Sequence, residues 1–188
     1  MDKPILRLIE NDIAYTGEQL RSHWAYETFD ILGDSAVAFI GPCDVHPEHM
    51  KDIEDLKTSS AIRSERMLHV IVEHFGADIE RIVLRQHLLM AVMAETLNRF
   101  LGKVTVRREG SDLYDGDRKL TVSVATVSPV SGMIHAGINI SSRNTPVPTR
   151  GLEDYSINAR QFADETLAAY AAECDIMARA RCKVKPCR

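Results

Sequence analysis

Two stretches, Arg118 to Val127 and Met133 to Ile140, alternate in side-chain character at every second residue on either side of a Pro129 to Gly132 turn. Successive residues of a strand point to opposite faces, so a period of two broken by turn residues specifies an antiparallel hairpin. Asp115-Gly116, just ahead, is a second hairpin-turn signal. Strict alternation sorts Leu120, Val122 and Val124 with Ile134, Ala136, Ile138 and Ile140 onto a face to be buried. The other face collects Lys119, Thr121, Ser123 and Ala125 from the first strand and Met133, His135, Gly137 and Asn139 from the second. Its side chains are mostly polar and small, whereas a merely solvated sheet face carries more long charged residues. A strand glycine such as Gly137 often marks close approach of a ligand or another backbone. A lysine at the edge of such a face can hold a carboxylate, a phosphate or a developing oxyanion. Partly desolvated, it can serve instead as a base. A ligand pocket is the expectation, with the wet face of an antiparallel sheet as the alternative.

The flanking chain supplies helices and further strands. Ile5 to Ile9 is a short edge-strand candidate, and Thr16 to Gln19 reads as a capping box opening a helix that ends near Gly33. Ser35 to Ile40 and Met67 to Val72 are compact apolar runs suited to buried strands, and the charged segment 48–66 between them is helix-compatible. From about Gln86 to Leu101 the apolar residues keep helical spacing, and Gly102 stops the run. Val104 to Arg108 begins a strand region. After the Pro146/Pro148 loop a long helix is expected from about Leu152 to Cys182, with acids at its start and bases at its end. This order predicts an α+β fold, a mostly antiparallel sheet flanked by helices. With no repeat, low-complexity segment or linker, one domain over 1–188 is expected.

Composition bounds the partners. The net charge of −4 gives no global drive toward nucleic acid or an anionic membrane. No stretch approaches the roughly 20 apolar residues that span a bilayer. The first residues, Met1-Asp2-Lys3-Pro4, do not look like a signal peptide, and the four cysteines form no CxxC pair. A cytoplasmic protein with reduced thiols is expected.

Cys43-Asp44-Val45-His46-Pro47-Glu48-His49 packs several metal-ligand types into one loop. Cys43, His46 and His49 could hold a metal, but the spacing fits no standard zinc motif and an exposed polar loop is the expectation. Cys43 is also a conceivable nucleophile, with an inert buried thiol after a core strand as the favoured alternative. Trp24 is expected in the core and His23 at the surface, and His69 and His87 as structural histidines beside apolar runs.

Ser111 to Ser123, followed by His135-Ala136-Gly137-Ile138-Asn139, resembles the signature of lipoate–protein ligases and octanoyltransferases, relatives of the biotin–protein ligases and of the class II aminoacyl-tRNA synthetase catalytic fold. In that signature an acid, a hairpin turn and a key lysine precede a His-Gly strand. Asp112, Lys119 and His135 match the three, and Gly137 stands one residue beyond the usual glycine. The whole chain also looks like an uncharacterised prokaryotic family of unknown function in the same fold group. The resemblance implies that Lys119 contacts the acyl carbonyl and phosphate of an acyl-adenylate, and it places Ile40-Gly41-Pro42-Cys43-Asp44 at the substrate loop. The ligases' Gly-rich phosphate loop has no counterpart. Ser59 to Arg66 stands there without a glycine, leaving Arg63 and Arg66 as side chains for phosphate and a solvated helix as the alternative.

The implied protein is an acyl-handling enzyme of the lipoate/biotin ligase or octanoyltransferase type. Lys119 and His135 would be catalytic; Asp112, Thr121, Ser123, Gly137, Asn139, Cys43 and Asp44 would line the substrate site. Its ligand would be a small carboxylic acid or acyl group, ATP its candidate cofactor, and an acyl-carrier domain and a second copy of the chain its candidate partners. A non-catalytic binding module on the same fold and a small metalloprotein are the alternatives.

Overall fold

The computed structural model describes residues 3–58 and 62–187. A five-stranded sheet runs in the order β1 (Ile5–Leu8), β2 (Ser35–Asp44), β3 (Arg63–Phe75), β8 (Ser131–Asn139), β7 (Thr121–Val127). All its pairings are antiparallel except β1 with β2, which is parallel. A three-stranded sheet of β4 (Arg107–Glu109), β5 (Asp112–Asp115) and β6 (Arg118–Lys119) adjoins the β7 edge. The helices are α1 (Trp24–Phe29), α2 (Ile53–Thr58), α3 (Ile79–Leu101) and α4 (Ala159–Ala180). The expected α+β architecture is the observed one.

The two faces of the large sheet are buried in different ways. On one, Ala36, Ala38, Leu68, Val70, Ile134, Ala136 and Ile138 pack against Leu89, Met93, Leu97, Phe162 and Tyr170 of α3 and α4. On the other, Val37, Phe39, Met67, Ile71 and Met133 are covered by Tyr15, Leu20, Trp24 and Ile31. Every residue of β8 is consequently buried. The polar face foreseen for the hairpin is therefore not a wet sheet face: His135 is 3% exposed and Asn139 5%.

Several element boundaries differ from expectation. Gln19 Oε1 does accept from the Thr16 amide, but helix α1 begins only at Trp24. The charged segment after residue 48 is not one helix. It gives a turn of 3-10 helix at Pro47–His49 and the short α2, and Arg63 already opens β3, which runs on to Phe75. Ser59, Ser60 and Ala61 of that segment lie outside the described residues. Helix α3 starts at Ile79, earlier than the apolar pattern shows, because Asp78 caps it by accepting from the Arg81 amide. The last helix is split: Leu152–Tyr155 is 3-10, Ser156 turns left-handed, and Asn158 caps α4. Helical spacing over the last helix also predicts an apolar stripe that includes Met177, but Met177 is exposed.

Candidate functional site

The parity of β7 changes at Leu120. Lys119 belongs to β6 and pairs with Tyr114, while Thr121 opens β7 opposite Ile138. Leu120 stands between the two ladders: its amide donates to the Leu113 carbonyl and its own carbonyl accepts from the Asn139 amide. This one-residue step leaves Leu120 in the helix-side core and inverts every residue after it. Val122 pairs with Gly137 and Val124 with His135, so the valines, not Thr121 and Ser123, share the His135 face.

Thr121 and Ser123 are corrected accordingly. The Thr121 hydroxyl accepts from the Leu113 amide, and Ser123 bonds Gln86 of α3 and the Ser111 carbonyl. Both serve the join between the small sheet and α3, although each still touches the margin of a cleft.

Lys119 keeps the predicted side because it precedes the step. Its backbone is fixed from two directions: its amide donates to the Pro148 carbonyl, and its carbonyl accepts from the Arg150 amide. The hairpin that carries it is anchored by Asp115, which accepts from the Tyr155 hydroxyl at 2.7 Å and pairs with Arg150 at 3.4 Å. Its ammonium lies 2.8 Å from Asp112 Oδ2. Both predicted charged residues of the signature are thus adjacent.

Two clefts share the Lys119 wall. One, of about 250 Å³, has an apolar floor of Tyr15, Leu20, Val45, Met50, Ile62, Val122 and Val124, with His135 among them. Its rim is charged: Asp52, Glu54, Asp55 and Asp112 face Lys51 and Lys119. Burial and the neighbouring Asp52 push the Asp55 carboxyl up. The other, of about 190 Å³, is lined by Arg63, Met67, Thr121, Asn139, Thr145 and Thr149, together with Asp55, Ile62, Lys119 and Val122.

Beneath the first cleft lies a pair of buried imidazoles. His69 Nδ1 is 3.1 Å from His135 Nε2, and His69 Nε2 is 3.3 Å from the Gly41 carbonyl oxygen. Tyr15 stacks on His135 with ring centroids 3.7 Å apart. Burial brings His69 down to about 4 and His135 well below the ordinary histidine value, so both rings are neutral at physiological pH. His69, expected to be structural, is the partner that orients His135; two histidines 66 residues apart carry no sequence signal of pairing. Tyr15, Asp52 and Asp55 were not foreseen either, since none lies in a motif.

Other predicted residues scatter. Cys43 is 1% exposed, its thiol pushed up to about 12 by burial and by Asp44, and it lines neither cleft. Asp44 is exposed, lines neither cleft and pairs with Arg63 at 3.3 Å. Arg63 reaches the second cleft, whereas Arg66 lines a separate depression with Ile40, Ile140 and Glu153. Gly137 lines neither cleft, and a Cβ there would lie 2.9 Å from Met67 Cε, the flexible end of a side chain. Cys43, His46 and His49 do not converge: the described residues contain no group of three His, Cys, Asp or Glu placed to hold a metal. Among those residues, no helix is long and apolar enough to cross a membrane.

Comparison with known proteins agrees with this geometry. An uncharacterised protein of Methanocaldococcus jannaschii is 37% identical over 185 residues, 95% of this chain and 83% of its own length. The structure of a protein of unknown function from Pyrococcus horikoshi, 40% identical, superposes with a TM-score of 0.92 over 97% of this chain and 98% of that one. At 12% identity, likeness is one of fold: the biotin protein ligase of Aquifex aeolicus in complex with biotin and ATP has a TM-score of 0.61, covering 88% of this chain and 69% of that one. A T. acidophilum protein solved with bound lipoic acid, titled as a lipoate protein ligase candidate, has a TM-score of 0.55 at 12% identity, covering 92% of this chain and 86% of that one. The sheet and its flanking helices thus follow the biotin/lipoate ligase fold, and residues 5–185 match a family described as a domain of unknown function (DUF366), to which this chain belongs.

Proposed function

We propose that this protein binds a small carboxylic acid, or its activated acyl form, in the paired clefts and handles it through Lys119. The single observation that carries this is the position of Lys119 on the wall common to two clefts, one with a charged rim and His135 in its floor, the other mixing apolar side chains with Arg63, Asn139, Thr145 and Thr149. A carboxylate or activated acyl group seated at Lys119 reaches both clefts, the first offering His135 and the charged rim, the second the Arg63, Asn139, Thr145 and Thr149 side chains. An ammonium between them stabilises a carboxylate, or the negative charge that develops on an acyl oxygen or phosphate, by charge-assisted hydrogen bonding. His135, neutral and buried, is a recognition group here rather than a cationic acid. The fold is shared with a ligase solved in complex with biotin and ATP, which supports ATP as the activating co-substrate; an acyl-carrier domain is the acceptor this reading proposes.

ATP–pyrophosphate exchange with lipoate, octanoate, biotin and amino acids, on wild type and Lys119→Ala, tests this. Exchange with one acid, lost in the variant, is the expected result. Absence of exchange with every acid would remove adenylation. A second reading, binding without catalysis, is favoured by one feature: no glycine occurs between Gly41 and Gly76, so the flexible backbone cradle for phosphate is missing. It predicts thermal stabilisation by an acid alone and none by ATP.

A further inference from the structure

The hydrogen-bond directions in the histidine pair are fixed by chemistry. A carbonyl oxygen only accepts, so His69 Nε2, facing the Gly41 carbonyl, carries the proton. The neutral ring of His69 then offers Nδ1 as an acceptor, and His135 Nε2 donates to it. One proton remains on each ring, so His135 Nδ1 is a bare lone pair. Among the described residues Nδ1 has no hydrogen-bond partner, although His135 is 3% exposed. Tyr15 covers the ring face and His69 takes the Nε2 edge, so the remaining edge of this cleft-lining side chain is what a ligand meets.

The cleft floor therefore asks for a donor. A methylene chain placed there would displace water from the lone pair and return nothing, which leaves a buried polar atom unpaired. The rim adds a preference of sign. Its four carboxylates, Asp52, Glu54, Asp55 and Asp112, outnumber Lys51 and Lys119 by two. Asp55 is held up toward its neutral form by burial and by Asp52, a strain that a cation relieves. The unpartnered acceptor and the acidic rim are independent observations, and they favour the same ligand chemistry.

We propose that the ligand of this cleft is a small acid that also carries a protonated amine, its carboxylate taken by Lys119 and its N–H donated to His135 Nδ1. This rests on the reading that the cleft takes an acid. It sets the protein apart from handlers of octanoyl or lipoyl chains, whose tails have no donor to give. His135 and the rim acids are then its specificity-determining groups, and His69 and Gly41 are positioning residues that hold the tautomer.

Isothermal titration calorimetry on wild type with hexanoate, 6-aminohexanoate and the monoamide of adipic acid decides it, the three being matched in length. 6-Aminohexanoate is expected to bind at least about tenfold tighter than hexanoate, the loss ascribed to an unmet buried acceptor, with the monoamide between them. His135→Phe should bring the ammonium and methyl ends together, and Asp55→Asn should narrow the gap between ammonium and amide. Should His135→Phe not fold, the wild-type ranking alone is decisive. Hexanoate or the monoamide binding as tightly as 6-aminohexanoate overturns the proposal and leaves acid binding intact; no binding by any acid overturns both.

Discussion

Lys119 Nζ and Asp112 Oδ2 are 2.8 Å apart across the small sheet, with side-chain exposures of 30% and 24%. A pair this accessible adds only about 0.2–1 kcal/mol to stability. Its partners are available to a ligand at little cost to the fold. Lys119→Ala should therefore lower the Tm by no more than about 4 °C in a chain of this size. It should at the same time abolish the stabilisation given by a bound acid. Differential scanning fluorimetry with and without ligand checks both, and a large fall in the Tm of the free protein would show that Lys119 is structural.

The buried histidines make stability depend on pH. In the unfolded chain a histidine titrates near 6.5. In the fold His69 is brought to about 4 by burial, and His135 and His74 are also lowered, by burial first. Below pH 6.5 the unfolded state binds protons that the native state refuses, so stability is fully present above that pH and is lost as pH falls toward 4. His69 alone accounts for roughly 3 kcal/mol over that interval at about 1.4 kcal/mol per pH unit. Urea denaturation at pH 7.5, 6.0 and 5.0 should show a midpoint that falls steadily; a flat profile would mean that the imidazoles are hydrated.

Thiol reactivity should divide the cysteines evenly. Cys182 and Cys187 are exposed, whereas Cys43 and Cys174 are buried and burial pushes both thiols up. Native protein at pH 8 should take up iodoacetamide at Cys182 and Cys187 within minutes and at the other two only after denaturation. Peptide mass spectrometry identifies the sites. Rapid labelling of Cys43 would return it to the list of candidate nucleophiles.

Gly41→Ala should be severe. A Cβ at this position would fall on the Ile13 carbonyl, a backbone atom with no freedom to retreat. The cost should reach the upper end of the roughly 1–3 kcal/mol that overpacking brings. Because the Gly41 carbonyl holds the His69 proton, the variant should also disturb the His69 and His135 imidazole resonances. Chemical denaturation and histidine-ring NMR together measure the two effects, and an unchanged midpoint would mean that Ile13 yields.

The hairpin illustrates how far sequence reaches. Alternation located β7 and β8, sorted Met133 to Asn139 onto their observed faces and put Lys119 and His135 on one side, and the family resemblance added Asp112. It failed on Thr121, Ser123 and Val122 because counting by twos assumes an unbroken strand. The transfer of pairing from β5 to β8 at Leu120 depends on which strands lie beside it, and that is a property of the whole sheet. The Tyr15, His69 and His135 cluster was hidden for the same reason. Each residue is unremarkable alone, and only the register of β3 on β8, with the 13–15 segment laid across β2, brings the rings together. Asp78, by contrast, was legible as a cap in principle, but the apolar spacing after it becomes regular only near Gln86.

The step at Leu120 means that this strand is read in two frames. Residues through Lys119 address the cleft in one frame, and residues from Thr121 onward address it in the other, so that core and cleft are written into the same ten positions without sharing a phase. Removing Leu120 itself would restore a single frame, with Lys119 directly ahead of Thr121 and still on the cleft side. The Leu120 side chain, buried on the helix side, is thus the one residue by which the strand exceeds a plain alternation.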